Sequence, residues 1–111
     1  MSGVRALLAI AAALACASCD AVFSNLKIEN RTGGTVTNVT VTFDGKTHKL
    51  GDIAPGQSVT FYRALSGEGA PTASFSIGAR RINYETCYTT RGSPARGTIS
   101  IAPQGVTRRC D

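Results

Sequence analysis

From Leu26 onward, apolar and polar positions alternate with a period of two. Leu26 and Ile28 are set against Lys27 and Glu29, and Val39, Val41 and Phe43 against Thr40 and Thr42. Ala73, Phe75 and Ile77 alternate with Thr72, Ser74 and Ser76, and Ile99 and Ile101 with Thr98 and Ser100. Successive side chains of a strand point to opposite faces, so each run predicts a half-buried strand. Val59, Phe61 and Leu65 mark another. Ile82, Tyr84, Thr86 and Tyr88 fall on one face of a further strand, which assigns both tyrosines to the core.

Turn chemistry separates the runs. Asn30-Arg-Thr-Gly-Gly34 is turn-like, and Asp44-Gly45 stands between Phe43 and the strand Lys46–Leu50. Asp-Gly suits a two-residue hairpin because both central residues need positive φ. Pro55-Gly56 reads as a turn in which Pro pre-sets φ and Gly supplies the positive one. Ser66–Pro71 is a loop, Gly78–Arg81 a turn, and Thr89–Gly97 a nine-residue loop of Arg, Gly and Pro. Pro103-Gln104-Gly105 turns into a last short strand, Val106–Cys110. Seven or eight short strands without helical period or repeat predict an all-β fold. The expected form is an antiparallel two-sheet, immunoglobulin-like sandwich, with a small β-barrel as the alternative.

The N-terminus follows a different rule. Met1–Arg5 carries one positive charge, Ala6–Ala15 is a ten-residue apolar run, and small residues surround Cys16 and Cys19. This is the anatomy of a secretory signal, too short to span a bilayer as a permanent helix. Cys16-Ala-Ser-Cys19 has the spacing of a redox or metal motif, but such a site needs a folded frame around its thiolate. Here the pair lies in a segment that export would cleave or convert into a tether. The expected division is 1–19 as signal and lipidation region and 20–111 as one domain. About ninety residues then support one modest core.

Three processing registers remain open, with non-lipid cleavage after Ala21 as a further option. Ala15-Cys16-Ala17 suits an ordinary signal peptidase, while Cys16 and Cys19 each resemble the acylated cysteine of a bacterial lipobox, without the preferred Leu three residues upstream. Acylation at Cys19 leaves Cys87 and Cys110, an even number for an oxidising compartment; so does non-lipid cleavage after Ala21. The Cys16 register, or cleavage after Ala17, leaves three cysteines. Cys19 is therefore favoured over Cys16.

A Cys87–Cys110 disulfide closes a loop of 24 residues, worth about 3.4 kcal/mol by loop entropy. If strands 82–88, 98–102 and 106–110 formed a simple meander, the two cysteines would stand roughly 9.6 Å apart, two strand spacings. That exceeds the roughly 7 Å that a bridge spans. The bridge therefore requires the tail to cross to the other sheet or to the free side of the Cys87 strand. Cys87 also falls opposite Ile82 and Tyr84 unless a bulge intervenes.

Several stretches resemble small exported bacterial β-sandwich proteins: Asn30–Gly33, Asn38–Gly45, Leu50–Val59, Gly67–Gly69 and Cys87–Thr90. These are immunoglobulin-like, often lipoproteins, and mostly without assigned activity. The resemblance covers about residues 24–102 and implies the fold; it carries over no catalytic residue. In the Cys19 register Asp20 follows the acylated residue, which resembles the signal for inner-membrane retention in enteric bacteria.

Composition adds a charge asymmetry. The formal net charge is +5, and there is no Trp. From Arg80 onward six arginines face only Glu85 and Asp111. Arg80, Arg81, Arg91, Arg96, Arg108 and Arg109 are the candidate anion- or partner-binding residues, since loops are where sandwich domains commonly bind. His48, the single histidine, reads as a surface strand residue, and without neighbouring ligands it makes no ordinary zinc site. The carboxylates are scattered singly, and Gly67-Glu-Gly69 lacks the length and helix of a phosphate loop. Asn30-Arg-Thr and Asn38-Val-Thr are glycosylation sequons by form, with meaning only in a eukaryotic secretory pathway.

The sequence thus points to a non-enzymatic, lipid-anchored binding or structural module of a bacterial cell envelope. It would use no cofactor, metal or nucleic acid. Its expected partners are the membrane and an envelope protein or anionic surface component. The alternative is a soluble secreted inhibitor or toxin-like factor that engages a partner through its basic 89–97 loop.

Overall fold

The structure, a computed structural model, describes residues 22–90 and 92–111. Cys16 and Cys19, with the rest of residues 1–21, and Arg91 lie outside the described residues. Eight strands follow one another: β1 Val22–Asn30, β2 Val36–Phe43, β3 Lys46–Ile53, β4 Ser58–Leu65, β5 Thr72–Ile77, β6 Arg80–Glu85, β7 Arg96–Ala102 and β8 Gly105–Cys110. They form two four-stranded sheets, ordered β4-β1-β7-β8 and β3-β2-β5-β6. Every pairing is antiparallel except β1 with β7. The expected sandwich forms, and the sheets do not close into a barrel.

The alternation becomes the core. Leu26, Ile28, Phe61, Ile99 and Ile101 face inward from the first sheet and meet Val36, Val39, Val41 and Phe75 of the second, all at or below 1% exposure. Asp44 and Gly45 both take positive φ, 52° and 74°, as a primed hairpin turn requires. At Pro55-Gly56, Gly56 has φ 77° and the Gln57 N–H donates to the Ala54 carbonyl at 3.0 Å, a type II turn.

Two local features depart from the simple alternation. In β2 the register shifts around Asn38, whose φ is 52°, so Val36 and Val39 are both buried although three residues apart. Asn30, which reads as part of a turn, is instead a buried hub. Its Nδ2 donates to the carbonyls of Gly34 and Ile53, both at 2.8 Å, and its Oδ1 accepts from the Thr32 N–H at 2.9 Å and the Thr32 hydroxyl at 2.6 Å. The sequon asparagine Asn30 is thus internally consumed, whereas Asn38 is exposed.

The largest correction concerns residues 86–95. The strand expected over 82–88 ends at Glu85, and the chain then crosses from the second sheet to the first. Thr86 turns it away: its N–H and its hydroxyl both donate to the Pro71 carbonyl, at 2.9 and 2.6 Å. Tyr84 packs half-buried against the core, but Tyr88, expected beside it, is 59% exposed because the chain has already left the ladder. The crossover is tied down by isolated bridges Gly69–Thr89 and Thr90–Ser93 and by Ala95, whose carbonyl accepts from the Asn25 N–H at 2.9 Å. β7 then begins at Arg96, inside the segment expected to be loop.

This crossing resolves the cysteine geometry. Cys87 belongs to the crossover out of the second sheet and Cys110 to β8 at the edge of the first, so the strands never form the meander that would separate them. Their disulfide has a Cα–Cα distance of 5.6 Å and ties the two sheets together along one side. Cys87 is buried without sharing the face of Ile82 and Tyr84, because it lies beyond the end of β6.

Candidate functional site

The topology sorts the sandwich into two ends. At one end β1, β5 and β7 begin, β2, β4, β6 and β8 finish, and the 44–45 turn, the 66–71 loop and the crossover lie together. At the other end are Arg31–Thr35, Pro55-Gly56, Gly78-Ala79 and Pro103-Gln104. Because β1 starts at Val22, the chain enters the domain at the first of these ends, three residues after Cys19.

The candidate arginines divide between these places. Arg80 is exposed at the far end, at the start of β6. Arg81 lies on the outer face of the second sheet, where its Nη1 donates to the Asn38 carbonyl at 2.8 Å and to the Ser76 hydroxyl at 3.1 Å. Its guanidinium therefore braces the bulge in β2. Arg108 sits on β8 opposite Ile99 and reaches across to the second sheet, donating to the carbonyls of Glu85 at 2.9 Å and Thr86 at 3.3 Å. It supports the same seam as the disulfide.

Arg96 and Arg109 face solvent from the first sheet. Gly97, Ile99 and Ile101 are buried, so Arg96, Thr98 and Ser100 take the outer face of β7, and Arg109 pairs with Thr98. With Lys27 of β1 they form a basic surface, since Lys27 also pairs with Thr98. A groove of about 350 Å³ runs across it, lined by Glu29, Thr98, Ser100, Thr107, Arg108 and Arg109 among others. Glu29 is the acidic group of the groove, held by Lys27 at 3.2 Å and Arg31 at 3.1 Å. The Lys27 contact, with that of Arg31, keeps its carboxyl below the ordinary value against an opposing push from burial. Among the described residues these are the ion pairs present, and neither involves Arg96 or Arg109.

On that same face lies a pair the sequence reading passed over. Phe23 and Tyr62 stack with ring centroids 5.0 Å apart and planes at 22°, although they are 49% and 59% exposed. They come from neighbouring strands, Tyr62 pairing with Asn25 and Phe23 with Ala64. Parity was the available signal: with Leu26, Ile28 and Phe61 inward, Phe23 and Tyr62 must face outward. The outer face of the second sheet differs. It presents Thr40, Thr42, Thr47, Thr72, Ser74 and Asn83, and none of the large hydrophobics exposed among the described residues lies on it.

His48 pairs with Val41 and so faces the interior, half-buried at the opening between β3 and β4 rather than on the solvent face. Its ring lies 5.4 Å from that of Phe61. Among the described residues no group of three or more His, Cys, Asp or Glu side chains is placed to hold a metal ion.

Fold and staple together define a disulfide-bridged, immunoglobulin-like β-sandwich with a basic, aromatic-bearing outer sheet face. Residues 23–101 match the model of a domain of unknown function, DUF8725, and the chain belongs to that family. Among solved structures, an NMR structure of a protein from Eubacterium rectale resembles it with a TM-score of 0.55 and 17% identity, over 79% of this chain and 87% of the other. That likeness is one of fold. No curated protein matches the sequence.

Proposed function

We propose that this chain is an exported module of a bacterial cell envelope, held to a membrane through an acylated Cys19, or Cys16, and acting by binding or scaffolding rather than catalysis. The observation that supports it is the Cys87–Cys110 bridge, which joins the two sheets. Such bridges persist in oxidising compartments such as the periplasm. Using Cys87 and Cys110 as a pair leaves the leader cysteines for processing, in agreement with the export pattern of residues 1–19. With β1 beginning at Val22, an acyl group on Cys19 would set the domain directly on the bilayer, without a spacer.

The test is the intact mass of the mature protein from its bacterial host, before and after reduction. The expected species begins at Cys19, carries acyl chains, and gains the mass of two hydrogens on reduction. An unacylated chain beginning at Ser18 or Val22 would refute the anchor. It would favour a soluble secreted factor that engages its partner through the crossover containing Tyr88 and Arg96.

A further inference from the structure

We infer that the outer face of the first sheet is a docking surface for an anionic lipid bilayer, so that the tethered domain lies on its side rather than standing on its end. The inference rests on the lipid-anchor reading and adds an orientation to it. Three observations carry it.

The first is reach. Phe23 follows Cys19 by four residues, and an extended chain spans at most about 14 Å over that length. The headgroup layer is roughly 5–8 Å thick on each side of the hydrocarbon. An acylated Cys19 therefore brings Phe23 to the level of the headgroups or just above it, and Tyr62 with it through the stacked pair.

The second is chemistry. Phe23 and Tyr62 present an apolar surface with a phenolic hydroxyl, which suits the boundary between acyl chains and headgroups. In a soluble sandwich, two stacked aromatics left half in water at the entry of the chain forgo burial that the fold supplies elsewhere. Along the same face Lys27, Arg31, Arg96 and Arg109 outnumber the carboxylates of Glu29, which Lys27 and Arg31 hold, and Asp111, so the face is net positive. That complements the phosphates of an anionic leaflet.

The third is asymmetry. The outer face of the second sheet is mostly hydroxyl and amide side chains; it carries Lys49 and Arg81 with Glu85 as a countercharge, the Arg81 guanidinium is turned onto the Asn38 carbonyl, and no exposed aromatic lies there. Of the two sheet faces, only that of the first combines an exposed aromatic pair with solvent-facing cations.

The absence of Trp from the chain gives a clean probe, because a single introduced indole is the only one. The full-length protein, processed in its bacterial host, would be reconstituted in phosphatidylethanolamine vesicles with or without phosphatidylglycerol, using lipids brominated in the acyl chain as quenchers. Tyr62→Trp should emit to the blue and be quenched in the anionic vesicles. Asn83→Trp, on the opposite face, should do neither. Adding Arg96→Glu and Arg109→Glu to Tyr62→Trp should return its emission to that of the control, each lost cation weakening docking about fivefold. An acylated, vesicle-bound protein whose Tyr62→Trp and Asn83→Trp emissions match would overturn the docking and leave the tether standing. An unacylated protein whose Tyr62→Trp emission is still quenched by anionic vesicles would remove the tether and keep the docking. An unacylated protein without quenching would end both.

Discussion

Gly97 gives the most exacting check on the way the two sheets are joined. It lies on β7 opposite Cys110, and its backbone is in ordinary extended geometry, so conformational freedom is not what the position demands. Space is. A Cβ built there would stand 2.6 Å from the Cys87 Sγ and 3.0 Å from the Cys110 Cα, and closer still to the Arg109 carbonyl oxygen. Two of these neighbours are backbone and the third is half of the bridge, so none can swing away as a long side chain would. Gly97→Ala should therefore behave as an overpacked core substitution, costing about 1–3 kcal/mol, after offsetting the roughly 0.5–1 kcal/mol by which Ala ordinarily improves on Gly within a strand. For a domain of this size each kcal/mol corresponds to about 4–8 °C in Tm. The expected loss is thus on the order of 10 °C, read by circular dichroism on the oxidised protein with the bridge verified by mass. In a Cys87→Ala, Cys110→Ala background the sulfur contact disappears, and the penalty of Gly97→Ala should shrink while the part due to the Arg109 carbonyl persists. Removing the bridge itself should cost about 3.4 kcal/mol by loop entropy. A Gly97→Ala protein with an intact bridge and a Tm within 2 °C of the parent (about the smallest shift separable from a loss of a few tenths of a kcal/mol) would refute the close approach.

Asn30→Ala should cost about 2–4 kcal/mol, because it strips a buried hub of four side-chain hydrogen bonds, those to the Gly34 and Ile53 carbonyls among them; urea unfolding measures it, and a loss below about 0.5 kcal/mol would show that the hub is dispensable. Glu29 titrates below the ordinary carboxylate range, so its contribution is fully present above the unfolded value near pH 4.3 and is lost as pH falls through its folded pKa. Glu29→Gln should therefore melt below the parent at neutral pH, and the two should converge in acid; a constant difference down to pH 2 would contradict this.

Much of the fold was legible because its signals are local. Alternation placed the strands at Leu26, Val39, Phe75 and Ile99, and Asp44-Gly45 and Pro55-Gly56 carried their turns in their own chemistry. What escaped depends on partners distant in sequence. The run Ile82, Tyr84, Thr86, Tyr88 keeps its period beyond the point where Pro71 captures Thr86, so nothing within it marks the crossing. Gly97 sits in a stretch of Arg, Gly and Pro that reads as loop, and only the passage of the disulfide over β7 reveals its purpose. The excess of arginines is plain in the sequence, but the division of these residues among different tasks follows from topology. Arg81 braces a bulge, Arg108 spans the seam, and Arg96 and Arg109 face solvent.

The position of β1 also sets an order of events. It is the first of the eight described strands, yet it is an interior strand whose neighbours come much later: Ile28 pairs with Val59 on one side and with Ile99 on the other. Its parallel partner cannot be reached by a hairpin and must await the whole second sheet. Pairings so distant in sequence are slow to form. β1 therefore stays open on one side until β7 has been made. The sheet that the chain begins first is thus the one whose centre it can close only after all four strands of the other have been laid down.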